Sequence, residues 1–571
     1  MRELDWFWNG FEEIADAPNG VARLRGLILS LAVQGRLVPQ DEGDEPASVL
    51  LKRIKEEKAR LVKAGKIRKG EPLAPIGEEQ KHEIPASWSQ VRLGEVATAI
   101  TKGATPTTYG FAYQSSGIRF IKVENVKGGR IVVDNIKQFI CEEAHASQMR
   151  SQLEAGDILF SIAGTIGETC IVYESDLPAN TNQALAIVRG TDITFNPAFL
   201  KLQLDSFVAN AIKAQARGGA MNNVSLENLR DLIVLVPPEA EQKRIVAKVD
   251  ELMALCDELD ARQKQKHAGR ALALGATLHR LQQAADADEF ALRLAILADH
   301  FEELLDAPES VAPLRAAILG LAVQGKLEPQ DPNDEPASEL LQHIAREKAR
   351  LIAQKKIRKS DPLPPVDAEN APFELPLGWA WARFPELGEF GRGKSKHRPR
   401  NDPSLYKNGK YPLVQTGDVA RANGSIKTYT NQYNEVGLTQ SRLWPENTLC
   451  ITIAANIADT GILSFEACFP DSVVGFVPAE CLGHVRYFEY FLRTAKSRLE
   501  DFAPATAQKN INLEILQQVL VPLPPVAEIG RIVARVDDLM ALCDELDARL
   551  KARHEGGAAL VDAAVRRVGQ G

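Results

Sequence analysis

DAPNGVARLRGLILSLAVQGRLVPQDEGDEPASVLL, from Asp16 to Leu51, decides the fold, because it is written again as DAPESVAPLRAAILGLAVQGKLEPQDPNDEPASELL from Asp306 to Leu341, 290 positions later. The match runs on to Ile76 and Val366, and a second block, Asn223 to Arg262, returns as Asn510 to Arg549. A repeat of this length means one architectural unit used twice. Between the blocks, from about Trp88 to Met221 and from Trp379 to Lys509, the two halves share an order of elements and little identity. One scaffold therefore carries two different variable regions.

Within each copy, Leu, Ile and Val at helical spacing predict helices over Val21 to Val38 and Val311 to Leu327, closed by Gly35 and Gly325. Asp-Glu-Pro-Ala-Ser then opens helices over Pro46 to Lys63 and Pro336 to Gln354. Proline-rich linkers follow, Glu71 to Glu83 and Asp361 to Glu374.

The variable regions read as mixed α/β. In the first, β-rich runs (Ile118 to Val126, Arg130 to Ile136, Asp157 to Ala163, Thr169 to Tyr173, Ala184 to Val188) precede a helix over Pro197 to Ala216. In the second, Tyr411 to Val419, Thr448 to Ala455, Gly461 to Phe465 and Val473 to Val477 precede a helix over Val485 to Phe502. Each region ends in a double proline, Pro237-Pro238 and Pro524-Pro525. After these, Ile245, Val249, Leu252, Cys256 and Leu259, and again Ile532, Val536, Leu539, Cys543 and Leu546, follow a 4-3-4-3 spacing, continued by Leu550. That is an a/d seam, and two matching seams in one chain are expected to pair with each other. The alternative is that each packs on its own domain. Cys256 and Cys543 fit as small core residues within the seams.

The composition is that of a globular protein of several domains, 571 residues and 45% hydrophobic. Seven cysteines without C-x-x-C spacing point to a reducing compartment, and an acidic start with no long apolar window points to the cytoplasm, away from membranes. A net charge of −8 counts against a general nucleic-acid coat. Local basic excess is present at Lys52 to Lys69, at Arg346 to Lys359 and at Arg392 to Arg400. The first two can equally be solvated helix faces. The third lies in a Gly- and Pro-containing loop with no acid to balance it.

Catalytic motifs are scarce. Gly388 to Ser395 fits the phosphate-loop expression G-x-x-x-x-G-K-[ST], but Pro399 and Pro403 oppose the helix that such a loop must open, and Gly94 to Lys102 in the first half lacks the pattern. There is no H-E-x-x-H, no G-x-S-x-G, and no Asx-Pro-Pro-aromatic tetrad; metal ligand spacing is likewise absent. The chain reads as non-catalytic.

Binding chemistry is expected where basic and amide side chains meet glycine, since Arg and Lys address guanine, Asn and Gln address adenine, and glycine admits close backbone approach. In the first variable region these residues are Thr101, Lys102, Thr105, Lys122, Asn125, Arg217 and Asn222. In the second they are Arg392, Lys394, Lys396, Arg398, Gln415, Thr416, Gln508 and Lys509.

LAVQGRLVPQDEGDEPAS and its duplicate, with EQKRIVAKVDELMALCDELDAR and EIGRIVARVDDLMALCDELDAR, closely resemble the conserved regions of specificity subunits of type I restriction-modification systems. The resemblance spans nearly the whole chain. It implies two tandem α/β target-recognition domains, residues 86–238 and 376–525, separated by a long antiparallel coiled coil in an internal pseudo-two-fold repeat. Conserved helical segments would occupy 1–85, 239–375 and 526–571. It also implies a non-catalytic reader of bipartite double-stranded DNA that recruits two modification (methyltransferase) subunits and then restriction (motor-nuclease) subunits. No cofactor would bind this chain directly; S-adenosylmethionine would sit on the modification subunits. A helix of about 23 residues, at about 1.5 Å each, would hold the two readers roughly 34 Å apart, one DNA turn. The competing readings are a subunit-bridging scaffold whose variable domains bind protein or sugar, and an ATPase built on Gly388 to Ser395.

Overall fold

Leu24, Leu27, Ile28 and Leu31 recur at three- and four-residue intervals and form the buried face of α1 (Gly20–Val33). The helix stops where Gly35 takes φ +70°, and a side chain there would meet Pro85 and Trp88. In α2 (Ala47–Lys63) only Ala47, Leu50 and Ile54 are buried, and of its basic residues Lys58 is half-buried, its ammonium donating to Gly94 O and Glu95 O at 2.9 Å each. In a computed structural model the chain is described at residues 10–190, 195–215, 224–285, 287–357, 363, 364, 366, 371–397, 399–454, 457–501 and 511–570. It divides into two units, residues 1–266 with 554–571 and residues 267–553.

The first variable region runs through β1 (Ser89–Arg92), β2 (Ala99–Lys102), β3 (Ile118–Ile121), β4 (Phe139–Ile140), β5 (Ile158–Ser161), β6 (Thr169–Ile171), β7 (Ala179–Thr181), β8 (Leu185–Arg189), α3 (Pro197–Gln215) and β9 (Ile233–Val236). The 44-residue α4 (Glu239–Gln282) follows. The main sheet is antiparallel in the order β2-β8-β5-β6; a second sheet has the order β4-β3-β7, and β1 pairs with β9. Every residue of β5 is buried, which is why Ile158, Leu159 and Phe160 read as an apolar run rather than an alternating one.

The second unit continues with α5 (Ala287–Asp299), α6 (Val311–Val323), α7 (Ala337–Ala353), β10 (Ala380–Arg383), β11 (Gly388–Arg392), β12 (Tyr411–Leu413), β13 (Gly424–Ile426), β14 (Asn431–Tyr433), β15 (Leu449–Thr452), β16 (Thr460–Leu463), β17 (Val473–Pro478), α8 (Val485–Asp501), β18 (Leu520–Leu523) and the 45-residue α9 (Val526–Gln570). Its main sheet, β11-β17-β15-β16, repeats the first and adds β13 in parallel at the edge. The four shared strands keep one order although the letters differ.

Each long helix is locked down at its start by the same buried network. Trp88 Nε1 donates to Glu241 at 2.9 Å, Gln40 Nε2 donates to Glu241 at 2.6 Å, and Arg244 pairs with Asp44 at 2.6 Å. In the second unit Trp379 donates to Glu528 at 2.9 Å, Gln330 to Glu528 at 3.2 Å, and Arg531 pairs with Asp334 at 2.7 Å. Burial pushes the Glu241 and Glu528 carboxyls above their ordinary range, against the opposing pull of these donors.

The seam residues find their neighbours inside their own units. Ile245, Val249, Leu252, Cys256 and Leu259 are buried in one cluster with the face of α1, and Arg25 pairs with Asp257 at 2.5 Å. Ile532 and Val536 join the core of the second unit, while Cys543 is buried beside Val311 and Ile318 with Leu539 and Leu546 packed around it; Arg315 pairs with Asp544 at 2.7 Å. Much of each seam thus lies on α1 or α6, and Leu546 of α9 also packs against the cluster that holds Leu274, Leu278 and Leu281 of α4, since an apolar stripe of that period can fill any complementary groove. The unit boundary falls inside both long helices: Asp562, near the end of α9, pairs with Arg23, and Arg270, late in α4, pairs with Asp306.

Three strand expectations are corrected. The run from Arg130 is strand only at Arg130–Ile131, because Val133–Asn135 closes into a helical turn with the Ile136 amide on Val133 O at 3.0 Å. The run from Ile118 leaves β-structure after Ile121 because the Lys122 amide bonds Asn125 Oδ1 at 2.8 Å and turns the chain. The run from Tyr411 stops at Leu413 because the Gln415 amide bonds Asp418 Oδ2 at 2.9 Å and opens a short helix, Thr416–Ala420. Short polar side chains compete for the backbone groups that a ladder would use. The helix α5 was not anticipated.

Candidate nucleic-acid interface

The edge strand of each main sheet delivers a cation to the sheet's end and is then stopped by a glycine. Lys102 and Arg392 are the last residues of β2 and β11, and both are exposed. Gly103 donates its N–H to Leu185 O at 3.2 Å and Ala104 to Thr181 O at 3.0 Å; Gly393 donates to Val473 O at 2.9 Å and Lys394 to Phe469 O at 3.1 Å. A Cβ on Gly103 would overlap the Thr181 and Asn182 carbonyls, and one on Gly393 would overlap those of Phe469 and Pro470. Only glycine lets the chain cross here. Ala104 and Lys394 therefore occupy the same place in the two domains, and so do Thr105 and Ser395.

Beyond the glycine the two loops differ. Thr105 is held through its hydroxyl by the Gln183 side chain. In the second domain Lys396 is exposed, Lys394 is half-buried, His397 Nε2 lies 2.8 Å from Asp402, and Arg400 pairs with Asp471 at 2.7 Å. The Ser404 amide, the Ser404 side chain and His397 hold the Asp402 carboxyl down at about 2. Thr101 lies within β2, paired with Ile187.

Lys122 and Gln415 are a second matched pair, each at the residue before a turn whose first amide is tied back by Asn125 or Asp418. The Lys122 ammonium lies 5.4 Å from the Tyr113 ring centroid; Gln415 is exposed and Thr416 half-exposed. Asn125 itself is corrected. It is buried, with Oδ1 on the Lys122 amide and Nδ2 on Asn135 O at 2.9 Å, so it shapes the turn and has no edge left to offer a base. Arg217, Asn222, Arg398, Gln508 and Lys509 lie outside the described residues.

The phosphate-loop expression fails on geometry. Gly388 to Arg392 is strand, the Gly393 and Lys394 amides are spent on the neighbouring loop, and among the described residues the next helical turn after Ser395 is Pro403–Leu405. Among the described residues no helix N-terminus directly follows Ser395 to receive a phosphate. Among the described residues no group of His, Cys, Asp and Glu is placed to hold a metal ion, all seven cysteines are free thiols, and no helix is long and apolar enough to cross a membrane.

Sequence reasoning missed Gln183, Asp471, Gln440 and Ser441, which grip these loops from distant points of the chain. Only the folded sheet brings them near.

Residues 85–267 and 376–553 match the family described as the type I restriction modification DNA specificity domain. The chain belongs to the specificity subunits of type I restriction-modification systems. It is 30% identical to the type I restriction enzyme EcoAI specificity subunit of Escherichia coli over 95% of this chain and 93% of that one, and 30% identical to the EcoEI specificity subunit of Escherichia coli over the same shares. The crystal structure of the HsdS subunit from Thermoanaerobacter tengcongensis superposes with a TM-score of 0.42 at 18% identity, over 86% of this chain and 99% of that chain. As a specificity subunit this chain recognises DNA sequence within a restriction-modification system, and its fold is mixed α/β with two recognition domains and a long helix after the first. A scaffold for protein or sugar is not favoured.

Proposed function

We propose that residues 86–238 and 376–525 each read one half of a bipartite double-stranded DNA target. The loops after β2 and β11, with the turns at Lys122 and Gln415, would meet the bases and phosphates. The observation that carries this reading is the same glycine-pinned loop placed twice on the same sheet with different side chains, one Lys-Gly-Ala-Thr and the other Arg-Gly-Lys-Ser-Lys. α4 and α9 would pair antiparallel and set the unread spacer, and the duplicated helical segments, 1–85, 239–375 and 526–571, would dock two modification subunits that bring S-adenosylmethionine. Restriction subunits would join that core, in the cytoplasm, and this chain would hold no catalytic group of its own.

Co-expression with its modification subunits in a host lacking other adenine methylation, followed by mapping of methylated positions, tests the reading. The expected consensus has two specific blocks flanking an unread gap; one contiguous block would overturn it. Inserting a heptad into both long helices adds about 10.5 Å at 1.5 Å per residue. That should widen the gap by roughly three base pairs at 3.4 Å each and leave both blocks unchanged.

A further inference from the structure

The basic segment Lys394 to His397 has no helix or strand of its own, yet its backbone is fixed. Gln440 Oε1 accepts the N–H of Lys396 at 2.7 Å and that of His397 at 3.1 Å, from 44 and 43 positions away along the chain. The neighbouring Ser441 donates from Oγ to Lys394 O at 2.9 Å. Two adjacent side chains thus engage three backbone groups, those of Lys394, Lys396 and His397, and they leave the Lys394 and Lys396 side chains directed by a fixed main chain. Free loops of this composition sample many backbone conformers, and a side chain on such a loop cannot discriminate one base edge from another. In the first domain the corresponding loop carries less charge, and among the described residues Thr105 is held by the Gln183 side chain.

We propose that Gln440 and Ser441 are positioning residues that set the sequence preference of the second recognition domain, acting through the backbone of Lys394 to His397 rather than by contact of their own with DNA. The proposal rests on the reading of that loop as part of the DNA interface.

Full-length chain assembled with its modification subunits provides the test, with Gln440→Met, Gln440→Glu, Ser441→Ala and Lys394→Glu compared for affinity, methylation consensus and melting temperature. Methionine keeps the volume of Gln440 and removes the acceptor, so binding is expected to weaken roughly tenfold and the consensus to broaden in one half-site alone. Glutamate keeps an oxygen for both amides and should restore the wild-type consensus. Ser441→Ala should broaden the same half-site to a lesser degree. An unaltered consensus in Gln440→Met would overturn the proposal, as would broadening of both half-sites or equal effects of Met and Glu. Lys394→Glu separates the two levels: if it binds DNA as tightly as wild type, the assignment of the loop to the interface fails, whereas weak binding by Lys394→Glu beside a normal Gln440→Met removes only the positioning role.

Discussion

The Trp-Glu-Gln network beneath each long helix and the glycine-pinned loop at the end of each edge strand belong to the same repeat and have met opposite demands. Trp88, Glu241 and Gln40 reappear in kind as Trp379, Glu528 and Gln330, with the same donors on the same acceptors. A buried carboxylate tolerates no change of partner, because any donor removed leaves charge without compensation. The loops share only what the sheet requires of them, the glycine and its two backbone bonds, and their outward side chains differ at nearly every place. Duplication preserved what is buried and polar, and it released what is exposed.

The largest effect that would break this comparison is expected at the shared glycines. Gly103→Val and Gly393→Val each drive side-chain atoms into a carbonyl of the facing loop, so each should cost about 2 to 3 kcal/mol in chemical denaturation and abolish recognition of its own half-site only. A variant that melts normally and keeps its consensus would show that the crossing is not obligatory. Next come Trp88→Phe and Trp379→Phe, which remove one donor from a buried carboxylate and should each cost about 1 to 3 kcal/mol. Similar losses in both units are the expected result, and a loss confined to one would mean the two networks are alike in drawing only.

The frame was legible because its signals are local. Repeated blocks, 4-3-4-3 spacing and glycines at helix ends name their own elements, and α1, α2, α6 and α7 begin and end within a few residues of where periodicity places them. The share of each seam that lies on α1 or α6 was not legible, because an apolar stripe records that it is covered without recording by what. The candidate interface was half legible. Lys102, Lys122, Arg392, Lys394 and Gln415 could be picked out as basic or amide residues in candidate loops, but Asn125 looks the same in sequence and is consumed inside a turn. Gln440 carries no mark at all, since its importance lies in two amides 43 and 44 positions away.

The contrast in loop charge gives a smaller and sharper prediction. Each phosphate neutralised by a lysine contributes about 0.9 to the slope of log affinity against log salt concentration. Lys102→Ala should lower that slope by about one such step, and the double variant Lys394→Ala, Lys396→Ala by about two. Binding titrations across salt concentrations measure this directly. Equal slopes for wild type and the double variant would mean that the second loop's extra cations face solvent.

The smallest effect concerns the buried carboxylates and has a definite sign. Burial raises the Glu241 and Glu528 pKa above the usual 4.5, so the folded protein binds these protons more tightly than the unfolded chain does. Their contribution to stability is complete below about 4.5 and is lost as the pH climbs through the raised values. Glutamine at both positions cannot ionise, so the stability of Glu241→Gln, Glu528→Gln relative to wild type should shift in the variant's favour as the pH is raised from 4.5 toward neutrality. Denaturation midpoints for the two proteins across that range give the comparison. A shift the other way would mean that the Trp, Gln and Arg partners stabilise the carboxylates by more than burial destabilises them, and the two networks would then be sources of stability at neutral pH rather than fixed points that the fold maintains at a cost.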